Sequence, residues 1–284
     1  MASRHTLARE VSVQGVTLHA GVPSRLRLRA SAPGTGIEFR RVDLGGSAPI
    51  AALWSNVAET RLGTVLRGPD GSSVGVVEHL MSALAGAGID DCIIEVEGPE
   101  PPLLDGDALS YLRLIDAGGT RAQGAREAIR LNRPVEVTSA SASARLVPAA
   151  APEFYFEIDF PSAAIGRQEF SCAFDRETFR REIAPARTFG FLKEAEQLRA
   201  AGYGRGADLT NTLVIDGDAL VNPALLRFPD EFVRHKILDA VGDLKLAGLP
   251  LIARFEGRKS SHALNNQLLR ALFADPANYR IGSD

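Results

Sequence analysis

The chain has 284 residues, of which 45% are apolar and 24% charged, so it can form one large domain or two ordinary ones and is not expected to be disordered. Its net charge of −3 argues against a nucleic-acid-binding protein, because neutralising phosphates requires a basic surface. No run of about 18 apolar residues occurs, so stable membrane insertion is not expected. Two cysteines and no visible signal segment predict a cytoplasmic protein with reduced thiols.

The first part of the chain predicts short strands and two helices. Alternating apolar and polar residues predict strands over 6–13, 24–30, 36–40 and 91–97. Over 76–87 the apolar spacing becomes helical, and Gly88 is a suitable end for that helix. A second helix is expected over 108–117.

A glycine-rich stretch over 118–124 lacks apolar periodicity and is the best candidate for a linker. After it the same pattern restarts, with strands expected over 129–137 and 153–160. The sequence therefore predicts two α/β domains of similar build, over 1–120 and 125–284.

The segment over 191–215 combines a short helical run, a glycine cluster and a strand-like end. It predicts an inserted lid or loop, and such segments often hold ligands.

The longest predicted helix, over 230–248, separates an apolar face from an ionisable one. The apolar stripe contains Val233, Ile237, Ala240, Val241, Leu244 and Gly248. His235, Asp239 and Asp243 lie on the other side at i, i+4 and i+8, a spacing that lets neighbouring side chains chelate one ion. The alternative is a solvated polar face with a weak His–Asp pair, which this helix taken alone favours.

Glu78 and His79 form a second candidate piece of a site. Adjacent helical residues point about 100° apart, so one can ligate a metal while the other acts as a base, as in metal hydrolases. The alternative is a helix that merely exposes two polar residues. The surrounding segment VGVVEHLMSALAG is too apolar for its middle to be exposed.

His262 is the third piece, in the first turn of a helix that Ser260 or Ser261 can cap. A nearby carboxylate such as Asp243 would favour its charged form, which suits acid–base work near neutral pH. A structural role is the alternative for a lone histidine. Together the three pieces provide His, His and Asp ligands with a free Glu and a free His, the composition of a catalytic zinc site with one open position.

Four segments closely resemble one family: VEHLMSALAG, ARTFGF, LRFPDEFVRHKILDAVGDL and SHALNNQLLRAL. The family is that of the zinc-dependent UDP-3-O-acyl-N-acetylglucosamine deacetylases of Gram-negative bacteria, which catalyse the committed step of lipid A biosynthesis. The similarity runs from GVTLHAG at 15–21 to about residue 275, nearly the whole chain. It implies an α+β fold in which two similar α/β sandwich domains pack face to face around a zinc ion.

The resemblance also implies the roles of the reacting groups. The implied zinc (Zn²⁺) ligands are His79, His235 and Asp239. Glu78 resembles the general base, and His262 the general acid, oriented by Asp243. Thr188 resembles the hydroxyl that helps to stabilise the oxyanion.

Substrate contacts follow from the same resemblance. Lys236 resembles the residue that contacts the diphosphate, and Phe189 and His19 resemble pocket residues around the sugar nucleotide. From Phe191 onward, the insert over 191–215 resembles an apolar passage for the 3-O-acyl chain. The partner implied is UDP-3-O-acyl-GlcNAc, with no nucleic acid, and a monomer is expected.

Two alternatives stay open at this point. The insert carries RGADLT at 205–210, where the family usually has Gly-Gly-Ser-(Leu/Phe)-Asp, so a metalloamidase acting on another N-acyl sugar is possible. A non-catalytic sugar-nucleotide or lipid-binding protein is the other alternative. It is disfavoured because a binder does not need Glu78, His262 and Asp243 together.

Overall fold

The computed structural model describes residues 2–283, apart from the side chain of Leu225, as two layers of sheet and helix. The strands up to residue 125 are β1 (Ser3–Leu7), β2 (Val11–Val16), β3 (Pro23–Ala30), β4 (Ile37–Arg41), β5 (Ile50–Ala51), β6 (Val57–Glu59), β7 (Val65–Arg67), β8 (Ser73–Val74), β9 (Cys92–Glu97) and β10 (Thr120–Ala125). The later strands are β11 (Glu127–Leu131), β12 (Val135–Ser139), β13 (Ala142–Pro148), β14 (Glu153–Asp159), β15 (Arg167–Ala173), β16 (Phe189–Phe191), β17 (Leu213–Asp216), β18 (Ala219–Leu220), β19 (Leu251–Arg258) and β20 (Tyr279–Ser283). The α-helices are α1 (Glu78–Ala87), α2 (Leu109–Gly118), α3 (Arg176–Thr178), α4 (Leu192–Ala200), α5 (Glu231–Lys245) and α6 (His262–Ala274).

The first layer is a five-stranded sheet in the order β2-β3-β9-β4-β5. Its β4 and β9 are parallel, and the other neighbours are antiparallel. Along β3, Leu26 and Leu28 are buried and alternate with more exposed arginines, as expected of a sheet with one covered face. Helices α1 and α2 bury Leu84 and Ile115 in the same core. The short sheet β6-β7-β8 comes just before α1 in the chain. The loop between β6 and β7 carries Thr64.

The second layer is a seven-stranded mixed sheet centred on β19. Its main path is β12-β13-β19-β11-β20, and β14 also pairs with β19 and with β15. Helices α5 and α6 pack on this sheet. Their apolar faces meet the buried rings of Phe156 and Phe255 in one core.

Helices α1 and α5 join the two layers, because they pack directly against each other. A Cβ atom on Gly242 of α5 would overlap the backbone carbonyl oxygen of Glu78 on α1, so only glycine permits this approach. The predicted α+β fold with two face-to-face layers is confirmed. In the described chain, none of the helices has the length and apolar character needed to cross a bilayer.

Some predicted elements were wrong in detail. The expected linker over 118–124 is mostly strand, because Thr120–Ala125 pairs antiparallel with Ser3–Leu7. The single strand expected over 6–13 is two strands separated by a turn, and the one over 129–137 is broken before Val135 by Pro134, which cannot donate a ladder hydrogen bond. Helix α1 begins at Glu78, two residues later than expected, because Val76 has a left-handed φ of 52°. The domain boundaries over 1–120 and 125–284 stay a prediction.

Candidate metal-dependent active site

Helix α5 provides three ionisable side chains on one face, and all three are buried. His235, Asp239 and Asp243 are only 3%, 4% and 3% exposed. The solvated polar face considered from the sequence is therefore excluded. The opposite face packs on the sheet of its own layer, while α1 and α6 pack against α5 as well. Burial of three charged or chargeable groups is costly unless each has a partner, so their partners decide what this face does.

Helix α1 presents Glu78 and His79 at its first turn, directly against α5. Both side chains are buried, at 3% and 4% exposure. The strained left-handed backbone at Val76 precedes this turn, and such strain is often retained at functional sites. The close approach at Gly242 brings the α1 terminus to the ionisable face of α5.

His79, His235 and Asp239 form a cluster whose ligand atoms all lie within 4.8 Å of one another. Oδ1 of Asp239 is 3.6 Å from Nε2 of His79 and 3.3 Å from Nε2 of His235. Within residues 2–283, this buried oxygen has no hydrogen-bond partner. A buried carboxylate oxygen facing two imidazole nitrogens is the donor set that a divalent metal such as zinc would satisfy.

The protonation of the cluster also fits metal binding. Nδ1 of His235 lies 3.1 Å from the carbonyl oxygen of Ala186, to which it donates, so Nε2 carries the free lone pair. Burial lowers the pKa of His235 to about 4 and keeps the ring neutral. For Asp239, burial opposes the charge, but the Lys236 ammonium holds its pKa well below the usual value. His235 and Asp239 therefore present a neutral imidazole and an ionised carboxylate, the forms that bind metal.

Glu78 and His262 stand beside this cluster as a carboxylate and an imidazole. Nε2 of His262 is 3.8 Å from Oε1 of Glu78, and Nδ1 of His262 is 2.8 Å from Oδ2 of Asp243. Burial raises the pKa of Glu78, which is characteristic of a carboxylate poised to accept a proton. Burial disfavours the charged form of His262, but Asp243 and Glu78 outweigh it and raise its pKa to about 9.

Thr64 and Asn265 donate hydrogen bonds to Glu78 and Asp243, and sequence reasoning missed both. The Thr64 hydroxyl donates to Oδ1 of Asp243 at 2.6 Å, and the Thr64 backbone N–H donates to Oε2 of Glu78 at 2.9 Å. The Asn265 amide donates to Oδ2 of Asp243 at 2.9 Å. Asn265 lies in the segment SHALNNQLLRAL, and Thr64 lies within the span of the family similarity, but only the tertiary contacts reveal which groups they bind.

Lys236 lies against the cluster, with Nζ 2.7 Å from Oδ2 of Asp239. Burial lowers the pKa of this lysine, but Asp239 reverses the effect and raises it overall, so the side chain is an ammonium ion. The Lys236 ammonium therefore lies beside the cluster, where it can bind an anionic group of a ligand. The predicted contact with a diphosphate stays a prediction.

The segment that carries Thr188 is fixed from both sides. The Thr188 backbone N–H donates to the carbonyl of Gly106, and its own carbonyl accepts from Leu213. The neighbouring Arg187 and Glu231 form a buried ion pair, with Nε 2.9 Å from Oε1, that ties this segment to the start of α5. Sequence reasoning missed that pair. The same segment carries Ala186, whose carbonyl oxygen accepts from His235, so Thr188 and the His235 ring are positioned by one segment.

Phe189 and Phe191 lie on β16 beside the cluster. The ring of Phe189 is edge-on to Phe232 and to His235, with centroids 5.1 Å and 6.2 Å away. Phe191 packs against Phe160 at 5.8 Å. These rings form an apolar wall that leads from the cluster into the insert.

His19 lines a cavity of about 340 Å³. It does not contact the cluster of His79, His235 and Asp239. Its Nε2 is 3.0 Å from the Leu62 carbonyl, and its Nδ1 accepts from the Gly204 N–H at 3.3 Å. The same cavity is lined by Gly63 and Tyr203. The insert thus reaches back to the first layer at His19.

A buried His–His–Asp donor set, flanked by a carboxylate on one side and a His–Asp pair on the other, defines the class of metal-dependent hydrolases. The family model for UDP-3-O-acyl N-acetylglycosamine deacetylase matches residues 4–274 of the chain. The chain therefore belongs to this family of metalloenzymes, and the predictions of the family and of an amide-hydrolysing deacetylase are confirmed.

Relatives named UDP-3-O-acyl-N-acetylglucosamine deacetylase match over nearly the whole chain. The protein from Phenylobacterium zucineum is 47% identical over 280 residues, covering 98% of this chain and 96% of its own. The Myxococcus xanthus protein is 45% identical over 280 residues, covering 98% and 89%. The protein from Brucella melitensis biotype 2 is 44% identical over 282 residues, covering 99% and 98%.

Proposed function

We propose that this protein hydrolyses the acetamide of UDP-3-O-acyl-N-acetylglucosamine, releasing acetate and the free 2-amine, in the committed step of lipid A biosynthesis. The observation that carries the proposal is the juxtaposition of Glu78 and His262 beside the cluster of His79, His235 and Asp239. A sugar-nucleotide binder has no need of a buried acid–base pair next to a metal donor set. The names of the relatives supply the substrate.

The metal of the proposal is zinc, held by His79, His235 and Asp239. Zinc in such a site provides a Lewis acid and makes water a stronger acid at neutral pH. The set fits zinc because it offers two imidazoles and one carboxylate, all buried. Three protein ligands leave a position for substrate.

The chain's own residues carry the proton transfers. Glu78, whose carboxylate is held by the Thr64 N–H, removes a proton from the attacking water as its oxygen bonds to the acetamide carbon. Protonated His262, oriented by Asp243, gives its proton to the amide nitrogen as the C–N bond breaks. The Thr188 hydroxyl donates to the oxyanion.

In this proposal the substrate is bound by Lys236, Phe189, His19 and Phe191. The Lys236 ammonium binds the diphosphate, while Phe189 and His19 contact the sugar nucleotide. The acyl chain enters the insert past Phe191. The insert forms a β16–α4–β17 unit with parallel strands, and α4 packs on both strands. Among the described atoms, nothing lies within 4 Å of a Cβ placed on Gly190, so the sheet is open there.

A cytoplasmic location and action as a monomer are parts of the proposal. Cys92 and Cys172 are both free thiols, which suits a reducing compartment. Sedimentation of the purified protein tests the monomer, and a dimer at micromolar concentration would contradict it.

The deciding experiment measures acetate release from UDP-3-O-acyl-GlcNAc by the purified protein, with and without a chelator. We expect release that the chelator stops and added zinc restores. Glu78→Gln, which preserves shape but not basicity, is the matched variant and should bind zinc without releasing acetate. Release from other N-acyl sugars but not from this substrate would show that the substrate is wrong. No release from any of them by the zinc-loaded protein would show that the reaction is wrong.

A further inference from the structure

A second cavity, of about 570 Å³, lies in contact with both layers near the carboxyl ends of α1 and α5. Its floor is apolar and includes Leu146, Phe154, Leu244 and Phe255. Its volume falls in the range of small-molecule sites, and so does its composition of apolar walls with a few polar groups. None of the residues assigned to catalysis or substrate binding lines it.

Lys245 and His5 bring unsatisfied polar groups to this cavity. Lys245 ends α5, and its ammonium has no hydrogen bond or close ion pair in the described part of the chain. Burial lowers its pKa to about 8, although the carboxylates of Asp90 and Asp91 oppose that shift. Nδ1 of His5 is buried and has no hydrogen-bond partner among residues 2–283. A half-buried ammonium and a buried imidazole nitrogen above an apolar floor are groups to which a ligand with a polar head and an apolar body can bind.

The charges around the cavity indicate the charge of that ligand. Arg126, Arg176 and Lys245 line it, against the single carboxylate of Asp175. Asp90 lies 3.2 Å from Arg126 and balances one cation. Lys245 is a lining cation without a close carboxylate partner in the described part of the chain, and a single ammonium matches a monoanion rather than a dianionic phosphate.

We propose that this cavity binds a free single-chain fatty acid, with its carboxylate at Lys245 and His5 and its hydrocarbon chain over Phe154 and Phe255. The ligand would contact the carboxyl ends of α1 and α5, the two helices that carry the metal donor set. This site is separate from the acyl passage of the insert, and it does not depend on the proposed reaction.

Calorimetric titration of the full-length, metal-loaded protein with octanoate, decanoate and dodecanoate tests the proposal. Affinity should rise by about fourfold for each added methylene. Lys245→Met should weaken dodecanoate binding by about tenfold or more, because a charge-assisted hydrogen bond is lost, and leave dodecanol binding unchanged. Lys259→Met, at an exposed lysine paired with Asp159, is the matched control and should bind dodecanoate like the parent.

A second variant and a direct measurement separate this cavity from the insert. Leu251→Trp, at a half-buried position on the cavity wall, should fill the space and abolish the same binding while circular dichroism stays native. In the parent, magnetisation transfer should connect the chain protons of bound dodecanoate to the rings of Phe154 and Phe255. Unchanged dodecanoate binding in both variants would overturn the proposal, and so would tighter binding of dodecyl phosphate than of dodecanoate.

Discussion

The His262 side chain has its charge set by two neighbouring carboxylates. Burial works against its protonated form, yet Asp243 and Glu78 raise its pKa to about 9, so the ring is an imidazolium at neutral pH. Glu78 must be ionised to act as a base, and burial raises its pKa. Activity should therefore rise with pH as Glu78 loses its proton and fall near pH 9 as His262 loses its own.

Profiles of kcat/KM against pH check this expectation. Glu78→Ala should flatten the acidic limb and His262→Ala the basic limb, each with a loss of roughly 10² or more in rate. Asp243→Asn should move the basic limb to lower pH, because the largest charge that favours the imidazolium is gone. A variant that keeps near-full activity and the pH profile of the parent would contradict the role assigned to the substituted residue.

Thr64 offers a sharper test at the same scale. Thr64→Val keeps the shape and the backbone N–H to Glu78 but removes the hydroxyl that donates to Asp243. One buried carboxylate oxygen then loses its donor, which should cost about 1–3 kcal/mol of unfolding free energy and lower kcat more than it changes KM. Chemical denaturation and steady-state kinetics measure both quantities, and Thr64→Ser should restore them. Equal effects of the Val and Ser variants would exclude a role for the hydroxyl.

The sequence predicted part of this site because part of it is local. The spacing of His235, Asp239 and Asp243 on one helix is visible without a structure, and so is the placement of His262 at a helix start. Thr64 is different, since it is 179 residues from the Asp243 it contacts. Nothing in its own neighbourhood signals that contact.

The approach of α1 to α5 depends on Gly242. Gly242→Ala would push a methyl group into the carbonyl of Glu78 and move apart the helices that carry the metal donors. We expect a loss of about 1–3 kcal/mol in unfolding free energy, as for overpacking, together with weaker zinc binding. Thermal unfolding and a competitive zinc titration measure the two effects. Gly45→Ala, where no atom of the described chain lies near the added Cβ, is the control. Parent-like zinc affinity in Gly242→Ala would show that the helix spacing does not matter.

The insert sheet allows a direct test of the acyl passage. Gly190→Leu would fill the open space at this position of β16, and its backbone needs no glycine because its φ is not left-handed. The variant should lose its preference for long acyl chains, because each excluded methylene forfeits about 0.8 kcal/mol, while short substrates react as before. Kinetics with graded acyl lengths give the answer. The alternative is that the insert is only a connection, and in that case chain length would have no effect in either protein.

At the scale of the whole molecule, one hydrophobic core runs through both layers and does not include His79, His235 or Asp239. Large buried rings such as Phe39 and Phe156 belong to this core. His79→Ala should therefore abolish tight zinc binding and leave the far-ultraviolet circular dichroism native. The thermal midpoint of the parent should fall on chelation, because zinc stabilises only the folded state. Elemental analysis checks the first expectation, with His5→Ala as the control. One tightly bound zinc per His79→Ala chain would rule out this ligand.

The overall architecture was partly predictable. The switch from alternating to helical spacing predicted the ends of the main helices to within three residues, because each helix buries one regular face. The stretch over 118–124 was misread because its strand is held by backbone pairing with β1 rather than by apolar side chains. Pairing between distant segments leaves no periodic pattern in either of them.

The long sequence separation between Thr64 and Asp243 has a consequence for synthesis on the ribosome. Strands β2, β3, β9, β4 and β5 lie within the first 97 residues, so this sheet can form while later residues are still being added. Until α5 is complete, the face of α1 that carries Glu78 and His79 has no partner. If this sheet forms first, the face of α1 that carries Glu78 and His79 is open to water until α5 is made. A chaperone that shields this face would act between the synthesis of β10 and that of α5.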